Sequence, residues 1–265
     1  MQEHLYTLLL APNASLMSGP GTNTLVLGSA DEDGALVIDP ADAAPAHLDA
    51  IVREGERRGG IRKILLTHGH ADHVGGAAEL RQRLGGVPIY AFSRQSVPIL
   101  DYETPDGTTF RVGGDTLRAL HTPGHSPDHL CFLLEGAQIL FAGDHISGIT
   151  TNVIGDMLGY LNALKRLQSL EIREIVPAHG PNVANPQEKI AEYIRHRLLR
   201  EQQILGVLRA RGSDMSISQM VAQIYQDVDP QLHPVAAYSV AAHLVKLEKE
   251  GIVERDGENW TLKKA

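Results

Sequence analysis

Short apolar runs, each closed by Gly, Pro or Asp, recur along the first two thirds of the chain. Residues 22–28 and 35–38 predict two strands of a hairpin, joined by the turn signal Asp31-Glu-Asp-Gly34. Asp39-Pro40 closes the second strand. Residues 42–58 put Leu48, Ile51 and Val52 on one face and charge on the other, which predicts a helix. Residues 61–66 predict a buried strand, and Ala77, Ala78, Leu80 and Leu84 place a helix over 76–84. A short strand follows at 87–90. Residues 109–112 and 116–121 pair across Gly113-Gly114, further strands fall near 129–134 and 138–141, and a helix covers 157–169. Two series of strands interleaved with helices imply two sheets with helices outside, an α+β class protein. Residues 1–20 offer only the glycine turn Ser18-Gly-Pro-Gly21 and no predicted strand.

The pattern changes after Pro186. A long helix runs over 187–211 and stops at Gly212, a second lies near 218–226 and a third near 234–250. Two short strands then flank Asp256-Gly-Glu-Asn259. Helices followed by a hairpin look like a small winged helix, so the chain divides at 1–185 and 186–265. The third helix opens Pro234-Val-Ala-Ala-Tyr-Ser-Val-Ala-Ala-His-Leu244, with no Arg, Asn or Gln to read base edges. Lys246 and Lys249 are offset by Glu248 and Glu250. A module that shapes the active-site cleft or a homodimer fits this helix better than a nucleic-acid reader.

Composition narrows the class. At 265 residues, 43% hydrophobic and 21% charged, this is an ordinary globular chain. No apolar run approaches the roughly 20 residues that a membrane helix needs. The N-terminus has Glu3 and no basic segment, which predicts no signal peptide and a cytoplasmic protein. Cys131 is the single cysteine, excluding internal disulfides; in Leu130-Cys-Phe-Leu-Leu134 it reads as a buried inert thiol. Residues 1–185 hold 13 Lys+Arg and 21 Asp+Glu, while residues 186–265 hold 11 of each. Neither half is basic, which weighs against a partner that is bound through its phosphates.

The chemistry is concentrated in Thr67-His-Gly-His-Ala-Asp-His73, where His68, His70, Asp72 and His73 fall within six residues of a strand end. A polar turn collects one such residue by chance, not four. Imidazole and carboxylate together suit Zn²⁺, with Fe or Mn as alternatives. Three later motifs also sit in Gly/Pro turns after apolar runs: His121-Thr-Pro-Gly-His125-Ser-Pro-Asp-His129, Phe141-Ala-Gly-Asp144-His145 and Ile175-Val-Pro-Ala-His179-Gly-Pro181. Such placement at strand ends is what one shared site at the edge of two sheets requires. His121, His129 and His145 stand beside these motifs, either as groups that orient ligands or as structural histidines. Thr22-Asn-Thr24 either faces substrate or simply begins a strand.

His-x-His-x-Asp-His, Thr-Pro-Gly-His, Gly-Asp and Pro-Ala-His-Gly, in this order, resemble the metallo-β-lactamase superfamily over residues 1–185. The resemblance implies a four-layer αβ/βα sandwich with two divalent metals: His68, His70 and His125 on one, Asp72, His73 and His179 on the other, and Asp144 bridging. Gly19-Pro-Gly-Thr-Asn-Thr24, Tyr193-Ile-Arg-His-Arg-Leu-Leu-Arg-Glu-Gln-Gln-Ile204 and His243-Leu-Val-Lys-Leu-Glu-Lys-Glu-Gly251 are similar to the β-lactamase-like protein 2 group, across nearly the whole chain. That group includes a single-strand RNA endonuclease, and looser relatives include thioesterases that release polyketides.

These likenesses imply a metal-dependent hydrolase of small esters or thioesters, with a single-strand endoribonuclease as the alternative. Neutral imidazoles leave positive charge on each metal, which lowers the pKa of a bound water toward roughly 7. Leaving-group protonation falls either to a second water or to Asp72. Authentic di-zinc β-lactamases usually lack the bridging acid, so Asp144 argues against antibiotic hydrolysis. The 19 positions from His125 to Asp144 and the 35 from Asp144 to His179 leave no room for the inserted domain of the nucleic-acid-processing branch.

Overall fold

The computed structural model describes residues 5–30, 34–149, 153–212 and 214–263. Residues 31–33 of the predicted turn Asp31–Gly34 lie outside them, as do residues 150–152. Two compact units are present: Met1–Thr122, Asp128–Thr151 and Glu171–Pro186 form the first, and Pro123–Pro127, Asn152–Leu170 and Gln187–Ala265 the second.

In the first unit, β1 (Tyr6–Leu10), β2 (Asn23–Gly28), β3 (Ala35–Ile38), β4 (Ile61–Leu65), β5 (Ile89–Ala91) and β6 (Tyr102–Glu103) form one sheet in that order. α1 (Pro45–Arg57) lies between β3 and β4 in the chain, and α2 (Ala71–Val74) and α3 (Ala77–Arg83) follow β4. The second sheet holds β7 (Thr109–Val112), β8 (Asp115–His121), β9 (Leu130–Leu134), β10 (Ile139–Gly143) and β11 (Glu174–Pro177), in the order β11-β10-β9-β8-β7.

The period-2 pattern of the strands builds two cores. Leu25, Leu27, Leu36, Ile38 and Leu65 meet Leu117, Leu130, Phe132 and Phe141 between the sheets. The alternate residues Val26, Val37 and Ile64 turn outward and pack with Leu48 and Ile51 of α1 and Leu80 of α3. Pro45 opens α1, where its missing N–H costs nothing. Gly55 lets α1 lie close to β4, since a Cβ there would stand 2.3 Å from Ile61 Cγ1. β1 and β6 carry no strand signal in the sequence. β1 is an edge strand with Leu8 and Leu10 exposed, so its hydrophobicity does not alternate, and β6 is two residues long.

The second unit contains α4 (Met157–Gln168), most of α5 (Pro186–Arg211), β12 (Met215–Ser216), α6 (Ile217–Ile224), a 3₁₀ turn (Pro230–Leu232), α7 (His233–Lys249), β13 (Val253–Asp256) and β14 (Asn259–Leu262). A three-stranded sheet β12-β14-β13 packs Met215, Val253 and Trp260 against Met220 of α6, Val240, Leu244 and Leu247 of α7, and Ile204 and Leu208 of α5. Three helices and this small sheet make the winged-helix arrangement that the sequence predicts. Ser216 and Gln219 form a capping box that starts α6. Glu201 of α5 meets Lys246 of α7 at 2.8 Å and faces His243 at 3.7 Å. Among the described residues, no helix is long and apolar enough to cross a membrane.

Candidate metal centre

Three strand ends of the first unit deliver the chemistry. β4 runs into Thr67, His68 and His70, and α2 then carries Asp72 and His73. β10 ends at Gly143 and presents Asp144, while β11 ends at Pro177, two residues before His179. Backbone bonds lock these ends together: Ala178 N–H donates to Gly143 O at 3.0 Å, Asn23 N–H to Ala178 O at 2.7 Å and Leu130 N–H to Thr67 O at 2.7 Å. Gly143 has φ +50°, and a Cβ there would stand 2.7 Å from His129 Nε2. Only glycine makes this turn beside a buried ring.

Ligand-type atoms of His68, His70 and Asp144 lie within 4.8 Å of one another, as do those of Asp72, His73 and His179. Asp144 reaches both groups, because its Oδ1 is 3.5 Å from His73 Nε2 and 3.2 Å from His179 Nε2. Asp72 Oδ2 faces the same two nitrogens at 4.0 and 3.5 Å. His125 sits in the Pro123–Pro127 segment that belongs to the second unit. Its Nδ1–H donates to the Val153 carbonyl at 2.9 Å, which directs the ring's lone pair to Nε2.

A residue that sequence reasoning passed over organises the histidines. Asp39, 2% exposed and at φ 50°, accepts from Thr67 N–H through Oδ1 at 2.8 Å. Its Oδ2 accepts from Thr67 Oγ1–H at 2.7 Å and from His73 Nδ1–H at 2.8 Å. Thr67 Oγ1 in turn accepts from His68 Nδ1–H at 3.0 Å. Both rings therefore hold a proton at Nδ1 and offer Nε2, the tautomer that a metal requires. The Nε2 of His73 is buried without a hydrogen bond.

Charge at this cluster points the same way. Burial pushes His73 down, but the carboxylates of Asp144 and Asp39 outweigh it and hold the ring well above the usual imidazole range. Burial pushes Asp144 up, and His73, His179 and His68 together hold it well below the carboxylate range. His179, lowered by burial, is raised overall by Asp144. The anionic cluster thus calls for a cation at the histidine Nε2 atoms, and a proton and a divalent metal compete for the same lone pairs. The donor set of imidazoles and carboxylates fits the metal.

The neighbouring histidines separate into different roles. His129 Nε2 accepts from Asp144 N–H at 3.0 Å, and its Nδ1–H donates to Thr122 Oγ1 at 2.9 Å, so this ring fixes the backbone of Asp144. His121 stacks on Phe92, with 3.9 Å between ring centroids. Thr22, Asn23 and Thr24 are buried. Asn23 Nδ2 donates to the carbonyls of Pro177 and Gly180, both at 2.9 Å, so this stretch braces the His179 loop. Cys131 is fully buried, donating to Ala142 O at 3.4 Å, as an inert thiol would. Asn13, also missed, donates from Nδ2 to Asp72 O at 3.2 Å.

A family model described as the metallo-beta-lactamase superfamily matches residues 18–179, the span that holds every side chain of both groups. The chain belongs to the metallo-β-lactamase superfamily. A second model, the beta-lactamase associated winged helix domain, matches residues 216–260. Among curated relatives of this metallo-β-lactamase-fold chain, a beta-lactamase-like protein 2 homolog from Drosophila melanogaster is 35% identical, over 92% of this chain and 87% of its own length. An atrochrysone carboxyl ACP thioesterase from Aspergillus chevalieri is 32% identical, over 93% of this chain and 84% of its own. A beta-lactamase domain protein from Burkholderia ambifaria superposes with a TM-score of 0.82 over 99% of this chain and 92% of that one; at 18% identity it shows the shared fold alone. The metallo-β-lactamase-fold chain is a hydrolase of this superfamily with an appended winged-helix domain.

Proposed function

We propose that this enzyme is a dinuclear metal-dependent hydrolase of small thioesters or esters. The observation that carries the reading is the position of Asp144, whose carboxylate belongs to one His group and comes within 3.2 and 3.5 Å of Nε2 atoms in the other. In this reading His68, His70 and His125 hold one metal, Asp72, His73 and His179 hold the second, and Asp144 bridges them. Zn²⁺ suits the donor set best, with Fe or Mn as alternatives. When bound, the two metals supply a water that ionises near neutrality and a Lewis acid for the substrate carbonyl.

The chain's own groups do the rest. Asp39 and Thr67 keep the protons of His73 and His68 at Nδ1, away from the reacting side. His129 holds the main chain of Asp144 in place. Asp72, whose side chain is 35% exposed, has the access to solvent needed to pass a proton to the departing sulfur or oxygen. Residues 1–185 form the catalytic domain, and 186–265 serve as a docking module.

The A. chevalieri relative's description as an ACP thioesterase supports the thioester choice. The net charge of −8 supports it as well, since a polyanionic RNA is repelled by an acidic protein. Short acyl thioesters and labelled single-stranded RNA, each assayed with and without chelator, test the reading. The expected result is chelator-sensitive thioester turnover and intact RNA. Chelator-sensitive RNA cleavage without thioester turnover would replace it with the endoribonuclease.

A further inference from the structure

Six of the seven candidate ligands stand in the first unit, and His125 belongs to the second. Its ring is fixed by groups of that same unit. His125 Nδ1–H donates to the Val153 carbonyl at 2.9 Å. The residue before it is tied as closely. Gly124 O accepts from Gly155 N–H at 2.8 Å and from Asp156 N–H at 3.0 Å, and Asp156 is the N-cap of α4. These N–H groups at a helix start have no acceptor within the helix, and the Gly124 carbonyl supplies one. Gly124 has φ +143°, and a Cβ on it would stand 2.5 Å from Tyr160 Cβ and 2.6 Å from Tyr160 Cα. The backbone that leads into His125 therefore rests directly on Tyr160 of α4.

Tyr160 is in turn held from α5. It is fully buried, and the guanidinium carbon of Arg197 lies 5.5 Å from its ring centroid. Arg197 is itself only 4% exposed. A cation taken out of water over an aromatic face is attracted by the ring more strongly than one at the surface. One turn further along α5, Glu201 bonds Lys246 of α7 at 2.8 Å, so Arg197 approaches the ring from an anchored helix. Burying a charge is costly, and an apolar residue would fill the same space without that cost. An arginine here therefore calls for a task beyond packing, and the contact chain from Arg197 through Tyr160 to Gly124 ends at a candidate ligand.

We propose that Arg197 and Tyr160 are positioning residues for His125, so that the winged-helix unit sets how tightly this histidine holds its metal. The inference rests on the two-metal reading above and deepens it. Without the cation the Tyr160 ring is free to shift, the Gly124 backbone follows it, and His125 Nε2 loses its fixed direction. The metal held by Asp72, His73 and His179 has no such dependence, because Asp39, Thr67 and His129 orient its surroundings from the first unit. Groups that orient a metal ligand are worth about 10- to 100-fold in metal affinity.

Stepwise zinc affinities of the full chain, read by competition with a chromophoric chelator, test it in a cycle of wild type, Arg197→Met, His125→Ala and the double variant. Arg197→Met should weaken one zinc about 10-fold or more and leave the other within about twofold. In the His125→Ala background the same substitution should cost nothing further, since a group that acts through a ring has no effect once the ring is gone. An equal loss in both backgrounds, a loss shared by both zincs, or no loss at all overturns the inference and leaves the two-metal reading standing. Should the wild type bind one zinc only, the two-metal reading fails, and the same cycle on that zinc judges the positioning by the same signs. Should Arg197→Met fail to fold, as read from the emission of Trp260, Tyr160→Met removes the ring from the other side of the contact and takes its place in the cycle. Failure of that variant to fold as well makes the pair a determinant of the fold and overturns the inference.

Discussion

Asp39 Oδ2 stands 2.8 Å from Nδ1 of His73, 34 residues further along the chain, and the same oxygen accepts the Thr67 hydroxyl. One carboxylate at the end of β3 therefore orients two histidines after β4. Asp39→Asn leaves one acceptor oxygen for the Thr67 and His73 donors that now share two, and removes the negative charge beside His73. Metal affinity, read by competition with a chromophoric chelator, should fall by about 10- to 100-fold. Unchanged affinity would show that the ring is oriented by packing alone.

Gly143 turns the chain from β10 into Asp144 at φ +50°. An alanine there meets both the left-handed backbone penalty and the His129 ring, 2.7 Å from the added Cβ. Gly143→Ala should cost at least about 1–2 kcal/mol from the backbone alone. Urea unfolding of the metal-free protein measures it, and a loss under half that size would mean that the turn relaxes freely.

Much of this centre is legible in the chain, and the exceptions have physical causes. His68, His70, Asp72, His73, His125, Asp144 and His179 stand out because a candidate ligand at a strand end sits in a turn, and turns are written in Gly and Pro. Asp39 is hidden because a short carboxylate before proline looks like ordinary strand punctuation, and its partners become neighbours only through the parallel β3–β4 pair. His129 and His121 are indistinguishable in sequence, yet one braces Asp144 and the other stacks on Phe92. β1 is not legible in the sequence because an edge strand with exposed leucines breaks the alternation on which strand prediction depends. The division of the chain is also coarser in sequence, since α4 and the His125 segment group with the second unit through contacts that local patterns do not record.

The second unit has its own pH dependence. Burial pushes Glu201 up, but His243 and Lys246 beside it lower it overall. His243 is lowered, by burial first. A carboxylate with a depressed folded pKa stabilises above its unfolded value and loses that contribution as pH falls through the folded one. A histidine kept neutral by burial costs stability once pH drops below its unfolded value of about 6.5. Both effects act in one direction, so the unit should weaken steadily from pH 7 to pH 4. Trp260, the single tryptophan, is buried in this unit's core and reports its unfolding in urea. A midpoint that does not move with pH would contradict the assignment. Glu201→Gln should lower stability at pH 7 by roughly 1.5–3 kcal/mol and flatten the pH dependence.

The two-metal centre is the claim on which the rest depends, and metal content measured together with turnover tests it most directly. Wild-type protein should bind two equivalents of divalent metal per chain and turn over thioester. Asp144→Asn should retain one equivalent or fewer and lose about 100-fold or more in turnover. A single equivalent in the fully active wild type, or an Asp144→Asn variant with wild-type metal content and rate, would contradict the bridging role of Asp144 and the dinuclear reading with it.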